Sequence, residues 1–468
     1  MSVEELLSEA QLKGVRSFVL ADINNTSACL DYIKSAGKYD VKPIVGIDFR
    51  EGVQARYIGI AKNNEGFLEL NQHLTAHLSE QQPISRQAPE FANSFVVYPF
   101  NSIHPRALRE YEYIGIRTYD LNKLPFSEAK NFLHKMVVLH PVTFRNKKDF
   151  NAHRLLRAIH NNTLLSKLAV SEQTVETEVM HTESELSRMF EYYPQLIRNT
   201  KKILEECEIS FEYGKSKNKI SFNGSISADH ECMRRLCYEG IHYRFPNPGA
   251  EVFERMDKEL EAIFSMNFCS YFLINHDIIN YARHKNYFYI GRGSGANSLA
   301  AYCMRITDVD PIGLDLYFER FINPYRVNPP DFDMDFSWKD RDDITRYIFE
   351  KHGQSHTALV ATYNTFQYNS VIRELGKVFG LPKSEIDEVA ENRKAKQTPD
   401  TITSLIFKYS RHIHDFPNHL SVHAGGILIS EKPINYYTAT GIPPKGYPLT
   451  QFSMLEAEDI GLYKFDIL

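Results

Sequence analysis

Between residues 330 and 336 the chain reads Pro-Asp-Phe-Asp-Met-Asp-Phe, and no other short stretch restricts its folding as much. In an extended strand successive side chains point to opposite faces, so Asp331, Asp333 and Asp335 share one face and Phe332, Met334 and Phe336 the other. The apolar face must be covered by a core. Three carboxylates on the other face repel one another unless a cation sits among them. The stretch before it is equally distinctive. A strand-like run, Tyr287-Phe288-Tyr289-Ile290, enters a glycine-rich loop, Gly291-Arg292-Gly293-Ser294-Gly295-Ala296-Asn297-Ser298, which leads into an apolar helix over 299–304. Backbone N–H groups at such a loop and helix start suit phosphate oxygens. A phosphate cradle followed by a carboxylate row points to metal-assisted phosphoryl or nucleotidyl transfer.

The glycine loop is not a P-loop, because GxxxxGK[ST] is absent. With Ala296 in the third position it nearly fits the dinucleotide pattern, but no acidic residue closes a following strand about twenty residues on. Arg292, Arg320 and Arg326 put positive charge near the expected phosphate site, and arginine suits bidentate phosphate contacts.

The first 200 residues alternate helix and strand. A helix is expected over Val3–Lys13, strands over 17–22, 43–49, 56–61, 95–98, 113–116 and 136–140, and a helix over 66–78. This pattern is α/β, either a barrel or an open sheet. Asp22, Asp48 and His140 fall at strand ends, where they are candidate metal ligands or caps of turns and helices. Helices dominate from Asp229 to Lys285, after a Lys/Gly/Ser-rich stretch, 213–219, that reads as a flexible basic turn. Further helices are expected over 341–351, 370–379 and 384–392, ending in a basic patch, Arg393-Lys394-Ala395-Lys396, that is either a solvated helix end or a nucleic-acid backbone contact. The closing run 461–468, read as a strand, puts Lys464 and Asp466 on one face and Tyr463, Phe465 and Ile467 on the other. That pair either completes a metal and phosphate site or forms a surface salt bridge.

A net charge of −5 argues against nucleic-acid binding through overall charge alone, leaving a local basic groove. Six scattered cysteines without CxxC spacing read as reduced thiols. The acidic amphipathic start is unlike a signal peptide, and no apolar run reaches membrane-spanning length, so a cytoplasmic protein with no membrane partner is expected.

Taken together, GRGSGANSLAAYCMRITDVDP (291–311), FERFINPYRVNPPDFDMDF (318–336), VIRELGKVFGLP (371–382), HAGGILI (423–429) and TQFSMLEAEDIGLYKFDIL (450–468) resemble the catalytic α subunits of bacterial DNA polymerase III, the C-family polymerases. KPIVGIDF and IAKNNEGFLELNQHL resemble that family's PHP domain. The resemblance implies a PHP-like α/β barrel domain over 1–200, then a polymerase-β-like nucleotidyltransferase palm (α+β) over 201–362 and 421–468, split by a helical thumb over 363–420. It implies a DNA-directed DNA polymerase using two Mg²⁺ ions, held by Asp331, Asp333 and Asp466 as the catalytic carboxylates, with Asp335 secondary. Arg292, Gly293, Ser294, Arg320 and Lys464 would bind the dNTP phosphates. Primer–template DNA and dNTPs are the implied substrates, with a sliding clamp and a proofreading exonuclease as partners of a full-length protein; no 3′–5′ exonuclease activity is expected of the chain. The sequence departs from the family at Asp22-Ile23 and Leu139-His140-Pro141, where PHP metal ligands are usual, implying a structural PHP domain without its metal. Asn297 and Tyr363-Asn364-Thr365 also depart from the usual pattern, and the family's fingers and later regions are absent, which implies a partial chain. Two rival readings are a non-catalytic PHP–palm scaffold binding DNA or a replisome partner, and a PHP phosphoesterase.

Overall fold

The short β-branched runs of the N-terminal region pair into one curled, half-barrel sheet of six strands. They are β1 (Ser17–Ile23), β2 (Lys42–Glu51), β3 (Gln54–Ala61), β4 (Ser94–Pro99), β5 (Glu112–Ile116) and β6 (Met136–Val138), adjacent in chain order. β1–β2, β4–β5 and β5–β6 pair parallel, whereas β2–β3 and β3–β4 pair antiparallel. In this computed structural model, residues 1–317, 328–391 and 400–468 are described. They divide into two units, one formed by 1–77, 81–210 and 363–421, the other by 78–80, 211–362 and 422–468. Among the described residues no helix is long and apolar enough to cross a membrane.

In the first unit Ile44, Ile60, Phe95, Val97 and Val137 from the sheet pack with Ile203 and Cys207. A separate core joins the helix Lys147–His160 to the helices Tyr368–Phe379 and Thr401–Ile413, through Leu155, Ala158, Leu375, Ile406 and Tyr409. His412 Nε2 lies 3.0 Å from Asp149 Oδ1 and ties two of these helices together. The basic patch 393–396 lies outside the described residues.

The second unit holds a seven-stranded sheet in the order β11-β12-β9-β10-β13-β8-β7. Its strands are β7 (Tyr289–Arg292), β8 (Asp333–Phe336), β9 (Thr357–Thr365), β10 (Pro417–Ile429), β11 (Thr440–Gly441), β12 (Leu449–Ser453) and β13 (Phe465–Ile467). The last strand is thus inserted beside β8, and the parallel register places Asp466 directly across from Asp333. One face of this sheet is covered by the helix Cys269–His284, whose first seven residues, Cys269 to Asn275, are all buried, with Ile278, Ile279 and Ala282 continuing the buried face.

The stretch 213–219 differs from the expected flexible turn. Asn218 is buried and its side chain satisfies both backbone groups of Tyr463, donating from Nδ2 to the carbonyl (2.7 Å) and accepting the N–H at Oδ1 (2.8 Å). Lys217 N–H donates to Gly461 O and Lys219 N–H to Ile429 O. The lysines look solvated in sequence, but the backbone between them serves as a strap for the approach to Asp466. Asn218→Ala leaves two buried backbone groups unpaired and is expected to cost on the order of 3 kcal/mol. The urea midpoint of the variant checks this, and an unchanged midpoint contradicts the strap.

Candidate active site

Asp331, Asp333 and Asp335 keep the alternation seen in sequence, with Phe332 and Met334 buried beneath them. Regular pairing starts only at Asp333, however, because the glycine loop takes the backbone of Asp331. Gly295 N–H donates to Asp331 O (2.9 Å), and Asp331 N–H donates to Ser294 Oγ (3.1 Å). Gly293, at φ +92°, is needed there: a Cβ would lie 2.4 Å from Asp331 O. Gly293 and Ser294 therefore fasten the loop to the acidic segment.

The expectation that the following helix start cradles phosphate is corrected. Residues 294–297 form a single 3-10 turn, and the helix after it is five residues long, Leu299–Cys303. Its first N–H groups are already taken: Leu299 and Ala300 N–H each donate to Glu259 at 3.0 Å, and Ser298 Oγ donates at 2.9 Å. Glu259 is buried and ion-paired to Arg255, which also donates to Asn297 O and Leu316 O. Burial pushes the Glu259 carboxyl upward, against donors that favour the ionised form. Nothing in the sequence marked Glu259, because an Arg and a Glu four apart on a helix usually form a solvent pair.

On the sheet face, Asp333 and Asp466 face each other from neighbouring strands. Arg292, across from Asp333 on β7, reaches Asp335, its Nη2 donating at 2.9 Å and its Nε more closely. Lys464 Nζ donates to Asp466 Oδ2. Asp466 is buried, and its Oδ1 has no hydrogen-bond partner among the described residues. Arg292 and Lys464 thus each neutralise one carboxylate of this face, Asp335 and Asp466 respectively. Burial raises the Asp333 carboxyl above its ordinary range, with Asp466 adding to the rise and Arg292 and Lys464 opposing it. Arg292 holds Asp335 low through its hydrogen bonds. Among the described residues no three His, Cys, Asp or Glu side chains converge as a ready-made metal cage. Here Arg292 and Lys464 hold Asp335 and Asp466. The hard oxygen donors and the orphaned Asp466 Oδ1 nevertheless fit a divalent cation.

His423 Nδ1 accepts from Gly425 (3.2 Å) and Gly426 N–H (2.9 Å), so His423-Ala424-Gly425-Gly426 turns back on itself beside Asp466, which pairs with Gly426. A Cβ at Gly425 would lie 2.8 Å from Ile467 O, so β10 can approach β13 closely only with glycine there. Arg320 and Arg326 lie outside the described residues.

In the first unit Asp48 is ion-paired to Arg50 at 2.5 Å. Asp22 is half-buried, and its desolvation raises the carboxyl. His140 Nε2 lies 2.8 Å from Val179 O, and its ring stands 4.9 Å from that of His181. Asp22 and Asp48 belong to the neighbouring β1 and β2, whereas His140 follows β6, last in the sheet order.

A raised Asp333 means that the folded state binds the proton more tightly than the unfolded chain. That group therefore costs stability as pH rises through its folded pKa, and the cost is fully present above it. Without divalent cations, Asp333→Asn is expected to melt a few degrees higher than the parent at pH 7, with the gap closing as pH falls toward 4. Melting curves across this range check it; an Asn variant no more stable at pH 7 contradicts the charge crowding.

A family model described as the bacterial DNA polymerase III alpha NTPase domain matches residues 231–468, and one described as the PHP domain matches residues 1–112. The whole chain is similar to a DNA polymerase III subunit alpha of Bacillus subtilis (strain 168), 28% identical over 525 aligned residues and covering 46% of that protein. It is also similar to the Ureaplasma parvum protein of that name, 28% identical, and to an error-prone DNA polymerase of Symbiobacterium thermophilum, 26% identical; all of this chain aligns with each, covering 48% and 49% of their lengths. The chain thus spans about half the length of the curated relatives it matches. With the first family model covering just over half of its residues and ending on the strand of Asp466, the chain belongs to the bacterial DNA polymerase III alpha family.

Proposed function

We propose that this chain carries the catalytic face of a DNA-directed DNA polymerase, which joins a dNTP to a primer 3′-hydroxyl and releases pyrophosphate. The observation that carries the reading is Asp466, whose orphaned buried oxygen sits on the strand directly across from Asp333. Asp331, Asp333 and Asp466 would hold two Mg²⁺ ions, which when bound supply Lewis-acid activation of the hydroxyl and charge neutralisation at the triphosphate.

The chain's own residues supply positioning and charge. Arg292 is half exposed, so its guanidinium can exchange Asp335 for phosphate oxygens with little desolvation cost. Lys464, on the same sheet face, can move its charge from Asp466 to a phosphate. Gly293 and Ser294 keep the loop close to Asp331 and thereby set where the triphosphate can lie. Arg320 is assigned to the same phosphates from the family resemblance. In this reading the helices over 363–420 act as the thumb, 1–200 as a structural PHP domain, and 201–362 with 421–468 as the palm. A sliding clamp and a proofreading exonuclease are partners of the full-length protein, which works in the cytoplasm.

Single-nucleotide incorporation on a primer–template with Mg²⁺ tests the proposal. The 468-residue chain, which lacks the family's fingers, is expected to extend the primer slowly, and Asp333→Ala or Asp466→Ala to lower that rate by about a thousandfold or more. Arg292→Ala is expected chiefly to raise KM for the dNTP. A folded chain that binds primer–template tightly without extending it would replace this reading with a non-catalytic scaffold.

A further inference from the structure

The carboxylates lie on two segments far apart in sequence, and a buried side chain of the covering helix touches both. Tyr271, in the helix Cys269–His284, is 6% exposed. Its ring centroid lies 6.0 Å from that of Phe332, nearly parallel, and 4.7 Å from that of Phe465. Phe332 separates Asp331 from Asp333, and Phe465 immediately precedes Asp466. The Tyr271 hydroxyl donates to Lys464 O at 3.3 Å, one residue before the regular pairing of β13 begins.

Phe332 has no room to shift. Phe272 meets it edge-on at 5.1 Å, and a Cβ on Gly295 would come within 2.3 Å of its ring. Because strand side chains alternate, a displacement of Phe332 or Phe465 moves the aspartates beside them. A phenylalanine at 271 would fill the same space without needing a hydrogen-bond partner, whereas a buried hydroxyl left unpaired is costly. Burial, with the nearby Asp331 and Asp466 charges, keeps this hydroxyl protonated and therefore a donor.

We propose that Tyr271 is a positioning residue of the polymerase face, a wedge and tether that fixes the separation of the Asp331–Asp333 segment from Asp466. The inference rests on the proposed nucleotidyl-transfer reading. It predicts that the hydroxyl contributes to metal affinity and turnover more than to folding.

The test is Tyr271→Phe in the 468-residue chain, read by Mn²⁺ titration with electron paramagnetic resonance and by single-nucleotide incorporation. The relevant Mn²⁺ site is the one lost in Asp333→Ala. Expected are a melting midpoint within a few degrees of the parent, about tenfold weaker Mn²⁺ binding and lower kcat, and an unchanged KM for the dNTP. Tyr271→Leu, which also removes the wedge, is expected to lose more. A Phe variant with parental Mn²⁺ affinity and kcat overturns the positioning role alone. A parent that neither binds Mn²⁺ through Asp333 nor extends primer overturns the polymerase reading and this inference with it.

Discussion

The parallel pairing of β8 with β13 holds like charges together, and the rest of the second unit makes that tolerable. Two carboxylates a few ångströms apart near a protein surface repel by on the order of 4 kcal/mol. Beneath them Phe332, Met334, Phe465 and Ile467 are each no more than 2% exposed. At about 2 kcal/mol apiece their burial outweighs the repulsion. Arg292 and Lys464, paired to Asp335 and Asp466, reduce the repulsion further. The raised Asp333 carboxyl and the orphaned Asp466 oxygen are what the crowding leaves for an added cation.

Backbone approach matters as much as charge. Gly293 lets the loop lie against Asp331, and Gly425 lets β10 lie against β13. Glu259 occupies the N–H groups that start the short helix, so the loop is fixed from one side by a buried carboxylate and from the other by the acidic segment. A glycine-rich sequence that resembles a phosphate cradle is here first a packing device, and the exposed charge beside it comes from Arg292.

Much of this was legible from residue order. Strict alternation placed Asp331, Asp333 and Asp335 opposite a buried apolar face, because a strand has a side-chain period of two. The short β runs marked the N-terminal sheet. What the sequence hid depends on contacts between distant segments. Asn218 sits among lysines that look solvated, and only the incoming backbone of Tyr463 makes its amide a strap. Tyr271 reads as one more apolar residue in Tyr-Phe-Leu-Ile, since its hydroxyl partner lies on the last strand. Asp331 falls outside the regular strand because the glycine loop competes for its backbone groups.

Anomalous diffraction from crystals of the chain soaked in Mn²⁺ would test the central claim most directly. The account predicts manganese within about 2.2 Å of carboxylate oxygens of Asp333 and Asp466, with Lys464 Nζ displaced from Asp466. Manganese found only elsewhere, with Lys464 still on Asp466, would contradict it.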